Sequence, residues 1–119
     1  MRLGSLLAIG AAALVATSSP VLAHTHLVRS TPAANVTVAA PERVTLTFNE
    51  RLTPAFSKVE IVMVGHDMQI PVQTAFSADG KTITATPQGR FMKGSYTIKW
   101  TAAGADGHRM QGEIPFKVQ

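Results

Sequence analysis

Cysteine is absent from the 119 residues of this chain, and its absence excludes several classes of site at once. A disulfide framework, thiolate zinc sites, blue-copper centres and a cysteine nucleophile all require a thiol. A chain of about a hundred residues can bury a core of its own. We therefore expect a single domain that needs neither a disulfide nor a structural metal ion to fold.

Runs of like charge are also absent. The 11 basic residues outnumber the 7 acidic ones and give a formal net charge of +4 at pH 7. The basic residues are scattered along the chain from Arg29 to Lys117, whereas proteins that track a phosphate backbone group such residues in patches. This distribution predicts a solvated basic surface and no nucleic-acid partner.

One apolar run is present, and it lies near the N terminus. It covers residues 6–15, follows a positive start at Arg2, is broken at Pro20, and is followed by a small-residue ending at Ala23. These are the parts of a secretory signal peptide, and signal peptidase accepts the bond after Ala23. A membrane anchor is the alternative, but the run is shorter than the roughly 18–20 residues needed to span a bilayer.

The sequence thus predicts a cleaved leader, residues 1–23, and one exported domain, residues 24–119. No second long apolar stretch follows the leader. We therefore expect the mature product to be soluble, without a membrane span.

From His24 onward the apolar pattern has a period of two, which is typical of half-buried strands, and no long helical pattern is present. The clearest alternation joins Tyr96, Ile98 and Trp100, and Asp79-Gly80 has the composition of a hairpin turn. The predicted strands are 24–30, 44–48, 59–64, 70–75, 81–86, 96–101 and 114–118, with a loop at 102–110.

About seven short strands predict an all-β fold, either a β-sandwich or a Greek-key barrel. Four aromatic side chains fall on the alternating faces, and we expect them to form the core rather than to stack against a ligand. They are Phe48, Tyr96, Trp100 and Phe116.

Histidines supply the chemistry. Cleavage after Ala23 would leave His24 with a free amine, and that amine and the imidazole Nδ1 can chelate one ion. Cu(II) prefers nitrogen and oxygen donors in a tetragonal plane and binds more tightly than the other first-row divalent ions. Asp106 and His108 add a carboxylate and a second imidazole, and in an extended segment residues two apart point to one side. The alternative for Asp106-Gly107-His108 is an ordinary turn.

His26 offers a competing mode. A free terminus with histidine in third place can wrap Cu(II) through the amine, two deprotonated amides and that histidine's imidazole. Both modes use the amine of His24. We favour the long-range site with Asp106 and His108, which leaves His26 as a neighbour of the metal or a surface residue.

Several ordered segments resemble the CopC-type periplasmic copper-binding proteins, across essentially the whole mature chain. The matching segments are His24, Ser30-Thr31-Pro32, Leu46-Thr47-Phe48-Asn49-Glu50, Tyr96-Thr97-Ile98-Lys99-Trp100 and Asp106-Gly107-His108 followed by Gly112. The resemblance implies a small Greek-key barrel or sandwich of cupredoxin-like or immunoglobulin-like appearance, a periplasmic location, and a role in copper homeostasis or resistance.

The resemblance also implies site residues. His24 would supply amine and imidazole, Asp106 a carboxylate oxygen and His108 an imidazole to Cu(II), while Glu50 would be a weak ligand or would support the ligands. An ordinary solvated acid at a strand end is the alternative for Glu50.

Some members of that family carry a methionine-rich Cu(I) site, because thioethers are soft donors. Here Met63, His66 and Met68 lie in the corresponding region, and apolar packing is the alternative role for Met63 and Met92.

Three functions follow. The favoured one is a non-catalytic Cu(II) carrier or buffer that works with a separate inner-membrane copper transport protein, as the resemblance implies. A copper oxidase or monooxygenase with an N-terminal histidine brace is the second, although the single tryptophan and tyrosine are expected in the core. A metal-independent β interaction domain is the third.

Overall fold

The computed structural model describes Gly4, Gly10 and residues 24–119, so the predicted leader lies outside the described residues apart from those two glycines. The strands are β1 Leu27–Thr31, β2 Thr37–Val38, β3 Val44–Phe48, β4 Lys58–Met63, β5 Met68–Ile70, β6 Val72–Phe76, β7 Thr82–Pro87, β8 Gly94–Ala103 and β9 Arg109–Val118. A single turn of 3-10 helix covers Pro54–Phe56. Within the described part of the chain, no helix is long and apolar enough to cross a bilayer.

The strands form two separate sheets, so the fold is a β-sandwich rather than a closed barrel. The first sheet has the order β1-β3-β7-β6, and the second has the order β2-β9-β8-β4-β5. All neighbouring pairs are antiparallel except β2 with β9, which is parallel. The all-β fold predicted from the period-two pattern is confirmed.

The core lies between the two sheets and comes from the inward side of each alternating strand. In β3, Val44, Leu46 and Phe48 are buried while the threonines between them are partly exposed. The Trp100 ring meets the Phe48 ring edge to face across the sandwich, with centroids 5.1 Å apart. Tyr96 and Phe116 stack at 5.7 Å. All four predicted core aromatics are buried, as the sequence indicated.

The predicted strand 70–75 is wrong, because it is two strands that belong to different sheets. Pro71 has no amide hydrogen and cannot continue a ladder. β5 therefore ends at Ile70 in the second sheet, and β6 begins at Val72 in the first. One proline thus marks the point where the chain passes from one layer to the other.

The predicted loop 102–110 is too long. β8 continues to Ala103 and β9 begins at Arg109, with Ala102 paired to Met110 and Ala103 paired to Arg109. Only residues 104–108 remain between the two longest strands. The sequence also missed the two-residue strand β2, whose parallel pairing with β9 has no local signal. The predicted hairpin around Asp79-Gly80 is confirmed by the pairing of β6 with β7.

Candidate metal site

The segment that carries His24 and His26 lies beside the end of β3. β1 pairs with β3 at Leu27 and Phe48, and the residues before Leu27 continue past Asn49. The Asn49 amide donates from Nδ2 to the His24 carbonyl oxygen at 3.1 Å, and its Oδ1 accepts from the His26 main-chain N–H at 2.8 Å. The Asn49 main-chain N–H donates to the His26 carbonyl oxygen at 3.1 Å. Three hydrogen bonds from one residue therefore fix the segment.

Thr25, between the two histidines, points the other way. Its side chain is buried, with 3% of the residue exposed, and its hydroxyl donates to Oε1 of Glu50. The imidazoles of His24 and His26 remain exposed on the same segment. Alternation along an extended segment explains this division, because successive side chains point to opposite faces.

Glu50 also contacts the loop between β8 and β9. A Cβ built on Gly104 would lie within 2.9 Å of the Glu50 carboxylate carbon and 2.6 Å from Oγ1 of Thr25, so the carboxylate rests against the bare Cα of that glycine. The Thr53 hydroxyl donates to the Gly104 carbonyl oxygen at 3.2 Å and holds the loop from the other side. Glu50 therefore joins the histidine segment to the start of the loop.

Asp106 and His108 lie in a tight turn. The Gly107 N–H donates to the Gly104 carbonyl oxygen at 3.0 Å, and Gly107 has a φ of +81°, a conformation that favours glycine. The extended geometry predicted for Asp106–His108 is therefore wrong. The turn brings the two side chains together by a different route: Oδ1 of Asp106 accepts from the His108 N–H at 3.0 Å, and Oδ2 lies 2.9 Å from Nδ1 of His108.

This contact shifts the pKa of both groups in opposite directions. The hydrogen bond from the His108 ring, followed by that from the His108 main-chain N–H, lowers the pKa of the Asp106 carboxyl. The same carboxylate, as hydrogen-bond acceptor and as a negative charge, raises the pKa of His108. With Nδ1–H donated to the carboxylate, Nε2 of the neutral ring is the nitrogen left for a ligand.

The structure thus brings the histidine segment and the Asp106–His108 loop to one end of the sandwich, with Glu50 between them. Within residues 24–119, the described part of the domain, no three histidine, aspartate or glutamate side chains are already gathered as a metal cluster. The donor chemistry nevertheless fits Cu(II): imidazole nitrogens with a carboxylate are ligands that suit it, and both donors of the loop are exposed.

The predicted Cu(I) residues lie at the other end of β4 and β8. Met63 and Met68 are direct cross-strand partners, and His66 is in the turn between them. The three residues line one groove of about 390 Å³. Met63 is buried in the core, whereas Met68 is 37% exposed. Met92 is exposed, so packing in the core does not account for it.

Three residues that organise the site were not assigned a role from the sequence, namely Thr25, Asn49 and Gly104. Asn49 follows a strand and Gly104 begins a glycine-containing loop, which are ordinary positions for these residue types. The burial of Thr25 has no sequence signal, because a threonine beside exposed histidines in a polar segment is expected at the surface.

Comparison with known proteins identifies the family. The family model for the CopC domain matches residues 27–119. The chain is 36% identical over 108 residues to copper resistance protein C of Xanthomonas campestris pv. juglandis, an alignment covering 86% of this chain and 85% of that protein. The crystal structure of PcoC, a methionine-rich copper resistance protein from Escherichia coli, superimposes with a TM-score of 0.74 at 36% identity and covers 82% of this chain and 100% of that one.

A longer protein contains a similar segment. The copper transport protein CutJ of Bacillus subtilis is 31% identical over 98 residues, which cover 81% of this chain but only 18% of that protein. With a family model matched along the β domain and relatives of similar length above 30% identity, this chain belongs to the CopC family of copper resistance proteins.

Proposed function

We propose that this chain is an exported, non-catalytic Cu(II)-binding protein of copper homeostasis or resistance, and that it acts as a carrier or buffer. Its site would consist of the amine and imidazole of His24, the imidazole of His108 and the carboxylate of Asp106. Glu50 would hold these donors in place, and His26 would remain outside the coordination shell.

The contact of Glu50 with both halves of the site carries this proposal. Its carboxylate accepts from the hydroxyl of Thr25, the residue after His24, and lies against Gly104, two residues before Asp106. A partly buried hydrogen bond of a hydroxyl to a carboxylate restrains both partners. The donors that the proposal requires are therefore carried by segments anchored to one side chain.

Cleavage after Ala23 is part of the proposal, because only then does His24 have a free amine. An exported chain would then meet copper in the periplasm. The similarity to a segment of a copper transport protein supports a separate inner-membrane copper transport protein as the partner that supplies or accepts the ion.

Titration with Cu(II), followed by electron paramagnetic resonance, tests the site. We expect the protein that begins at His24 to bind one Cu(II) with nitrogen hyperfine coupling. The same protein extended by one residue ahead of His24 should bind far more weakly, because its main-chain nitrogen is an amide. Equal binding by both forms would contradict the proposal and favour the metal-independent interaction domain or a site elsewhere.

His108→Ala should weaken Cu(II) binding by more than about 100-fold, since loss of even a residue that only supports a ligand lowers metal affinity by 10- to 100-fold. His66→Ala is the matched control, because His66 is also exposed but lies at the other end of β4. Similar losses from the two substitutions would show that the site is misplaced.

The oxidase alternative requires turnover. Incubation of the copper-loaded protein with a reductant and a polysaccharide should release no oxidised oligosaccharides. The appearance of such products would contradict the carrier proposal and favour a copper oxidase or monooxygenase.

A second site for Cu(I) is favoured by the groove that Met63, His66 and Met68 share. Thioether sulfurs and an imidazole suit Cu(I). Met68→Ala should lower Cu(I) binding measured with a competing chromophoric chelator, and it should leave Cu(II) binding unchanged. An unchanged Cu(I) affinity would assign these residues to packing and surface.

A further inference from the structure

The side-chain amide of Asn49 bonds to the main chain of the histidine segment at two residues, His24 and His26. Its Oδ1 accepts from the His26 main-chain N–H at 2.8 Å, while its Nδ2 donates to the His24 carbonyl oxygen at 3.1 Å. These two bonds are additional to the main-chain bond from Asn49 to His26, which resembles ordinary strand pairing. The His26 amide hydrogen is thus directed into an acceptor of the protein.

That amide nitrogen is a ligand in the competing local complex. A free amine at His24, the amide nitrogens of Thr25 and His26, and the His26 imidazole can surround one Cu(II) in a plane, with both amide protons released to solvent. All four nitrogens come from three consecutive residues, so an unfolded peptide can form this complex. It would take the amine that the long-range site needs.

This inference rests on the proposed cleavage after Ala23 and the proposed use of the His24 amine. We propose that Asn49 is a specificity-determining residue that prevents the local four-nitrogen complex and thereby reserves the amine for His108 and Asp106. The His26 nitrogen can reach the ion only if its hydrogen leaves Oδ1 of Asn49 and the peptide turns away from β3. The folded protein opposes this movement with both side-chain bonds of Asn49.

The neighbouring residue strengthens the effect. Thr25 supplies the other amide nitrogen of the local complex, and its side chain is buried with its hydroxyl on Glu50. The His26 ring, by contrast, is exposed and has one contact of 3.2 Å, between Nδ1 and the His24 carbonyl oxygen. The His26 ring therefore does not prevent the local complex. The restraint acts on the main chain, because Asn49 holds the His26 N–H and the His24 carbonyl oxygen.

The experiment compares Cu(II) spectra of mature proteins that begin at His24. Asn49→Ala should convert the parent's spectrum to one with four nitrogen donors, and the further substitution His26→Ala should abolish that new spectrum. Asn49→Asp retains an acceptor for the His26 N–H but loses the bond to the His24 carbonyl oxygen, and it should give a smaller four-nitrogen component than Asn49→Ala. Thr47→Val, a substitution in β3 whose hydroxyl contacts Thr82 and not the histidine segment, leaves both Asn49 bonds in place and should keep the parent's spectrum.

A copper-free measurement isolates the contact itself. Hydrogen exchange at the His26 amide should be faster in Asn49→Ala by about tenfold or more, the scale expected when two side-chain hydrogen bonds are lost. Circular dichroism confirms that each variant is folded. Should the alanine variant fail to fold, Asn49→Val removes the same two bonds with a residue that strands favour.

Two results would overturn the inference. One is a four-nitrogen, His26-dependent spectrum in the parent itself, and the other is an unchanged spectrum in a folded Asn49→Ala or Asn49→Val protein. Failure of the proposed function looks different. If the parent does not bind Cu(II) through His108 but Asn49→Ala gains the His26-dependent complex, the long-range site is wrong while the role of Asn49 stands.

Discussion

Gly104 shows how much one missing methyl group matters to this site. The Glu50 carboxylate and the Thr25 hydroxyl occupy the space where a Cβ on residue 104 would lie, and the latter would be 2.6 Å away. Of these two neighbours Thr25 is buried and Glu50 is half-buried, so the Thr25 side chain cannot move freely into solvent. A side chain at this position must therefore displace the residue that joins the two halves of the site.

Gly104→Ala should destabilise the protein by about 1–3 kcal/mol, the usual range for a group forced into a packed interior. Urea denaturation monitored by circular dichroism measures this change. Gly89→Ala is the control, because its Cβ would be 3.4 Å from Cδ of Pro71, an ordinary contact, and its effect should be within about 0.5 kcal/mol. Equal changes in the free energy of unfolding for Gly104→Ala and Gly89→Ala would mean that Glu50 moves aside without loss of stability.

At the scale of elements, the pairing of β8 with β9 includes a second glycine whose missing side chain leaves room for a neighbouring residue. Trp100 and Gly112 are cross-strand partners, and a Cβ on Gly112 would lie 2.7 Å from Nε1 of the indole. The ring therefore lies flat over the glycine, and it also contacts Phe48 of the opposite sheet. Gly112→Ala should tilt the ring, destabilise the protein by about 1–3 kcal/mol and shift its emission to longer wavelength.

Tryptophan fluorescence checks this prediction cleanly, because Trp100 is the single tryptophan of the sequence. The emission maximum and the urea midpoint are recorded for the parent and for Gly112→Ala. An unchanged emission maximum together with unchanged stability would show that the indole is not held against residue 112.

The β6–β7 hairpin predicts a pH dependence. The Ser77 hydroxyl donates to Oδ1 of Asp79 at 2.6 Å and the Lys81 N–H donates to it at 3.0 Å, and these bonds lower the pKa of Asp79 below 3.8. A carboxyl whose pKa is lower in the folded state stabilises the fold above the unfolded pKa, and this stabilisation is lost as the pH falls through the folded pKa.

Asp79→Ala should therefore be less stable than the parent at pH 7, and the difference should vanish in acid, below the folded pKa. Urea denaturation at both pH values measures it. Asp67→Ala, in the exposed β4–β5 turn, is a matched control in which we expect little change. If Asp79→Ala remains equally less stable than the parent in acid, the loss of stability comes from removing a turn-forming residue and not from removing the carboxylate charge.

At the scale of the whole molecule, the proposed site connects the two layers. The histidine segment leads directly into β1 of the first sheet, and the Asp106–His108 turn joins β8 to β9 of the second. An ion bound by both would link the sheets and stabilise only the folded state. At a free Cu(II) concentration 100 times the dissociation constant, the gain is about 2.7 kcal/mol.

Thermal denaturation with and without Cu(II) measures this gain, which corresponds to a rise of about 10–20 °C in Tm for a domain of this size. The protein extended by one residue ahead of His24 should gain little under the same conditions. A local complex confined to residues 24–26 would also give little stabilisation, since an unfolded chain can form it equally well. A large shift in the extended form would contradict the proposed dependence on the amine.

Much of the fold could be predicted from the sequence because its signals are local. Alternation placed β3, β4, β7 and β8 to within a few residues, and the aromatic residues on one face of each strand are in the core. The errors occur where the outcome depends on distant partners. Pro71 signals an interruption, but only the pairing with β4 on one side and β7 on the other puts its neighbours in different sheets.

For the candidate site, the sequence by itself determined which donors are available: His24 at a predicted cleavage point, His26 two residues later, and Asp106 with His108 in one short segment. Residue type fixes that chemistry wherever the chain goes. Only the tertiary structure decided that Thr25 is buried, that Asn49 holds the His26 amide, and that Glu50 meets Gly104. The physical reason is that burial and hydrogen bonding between residues more than twenty positions apart depend on the pairing of the strands that carry them, and no local pattern encodes that pairing.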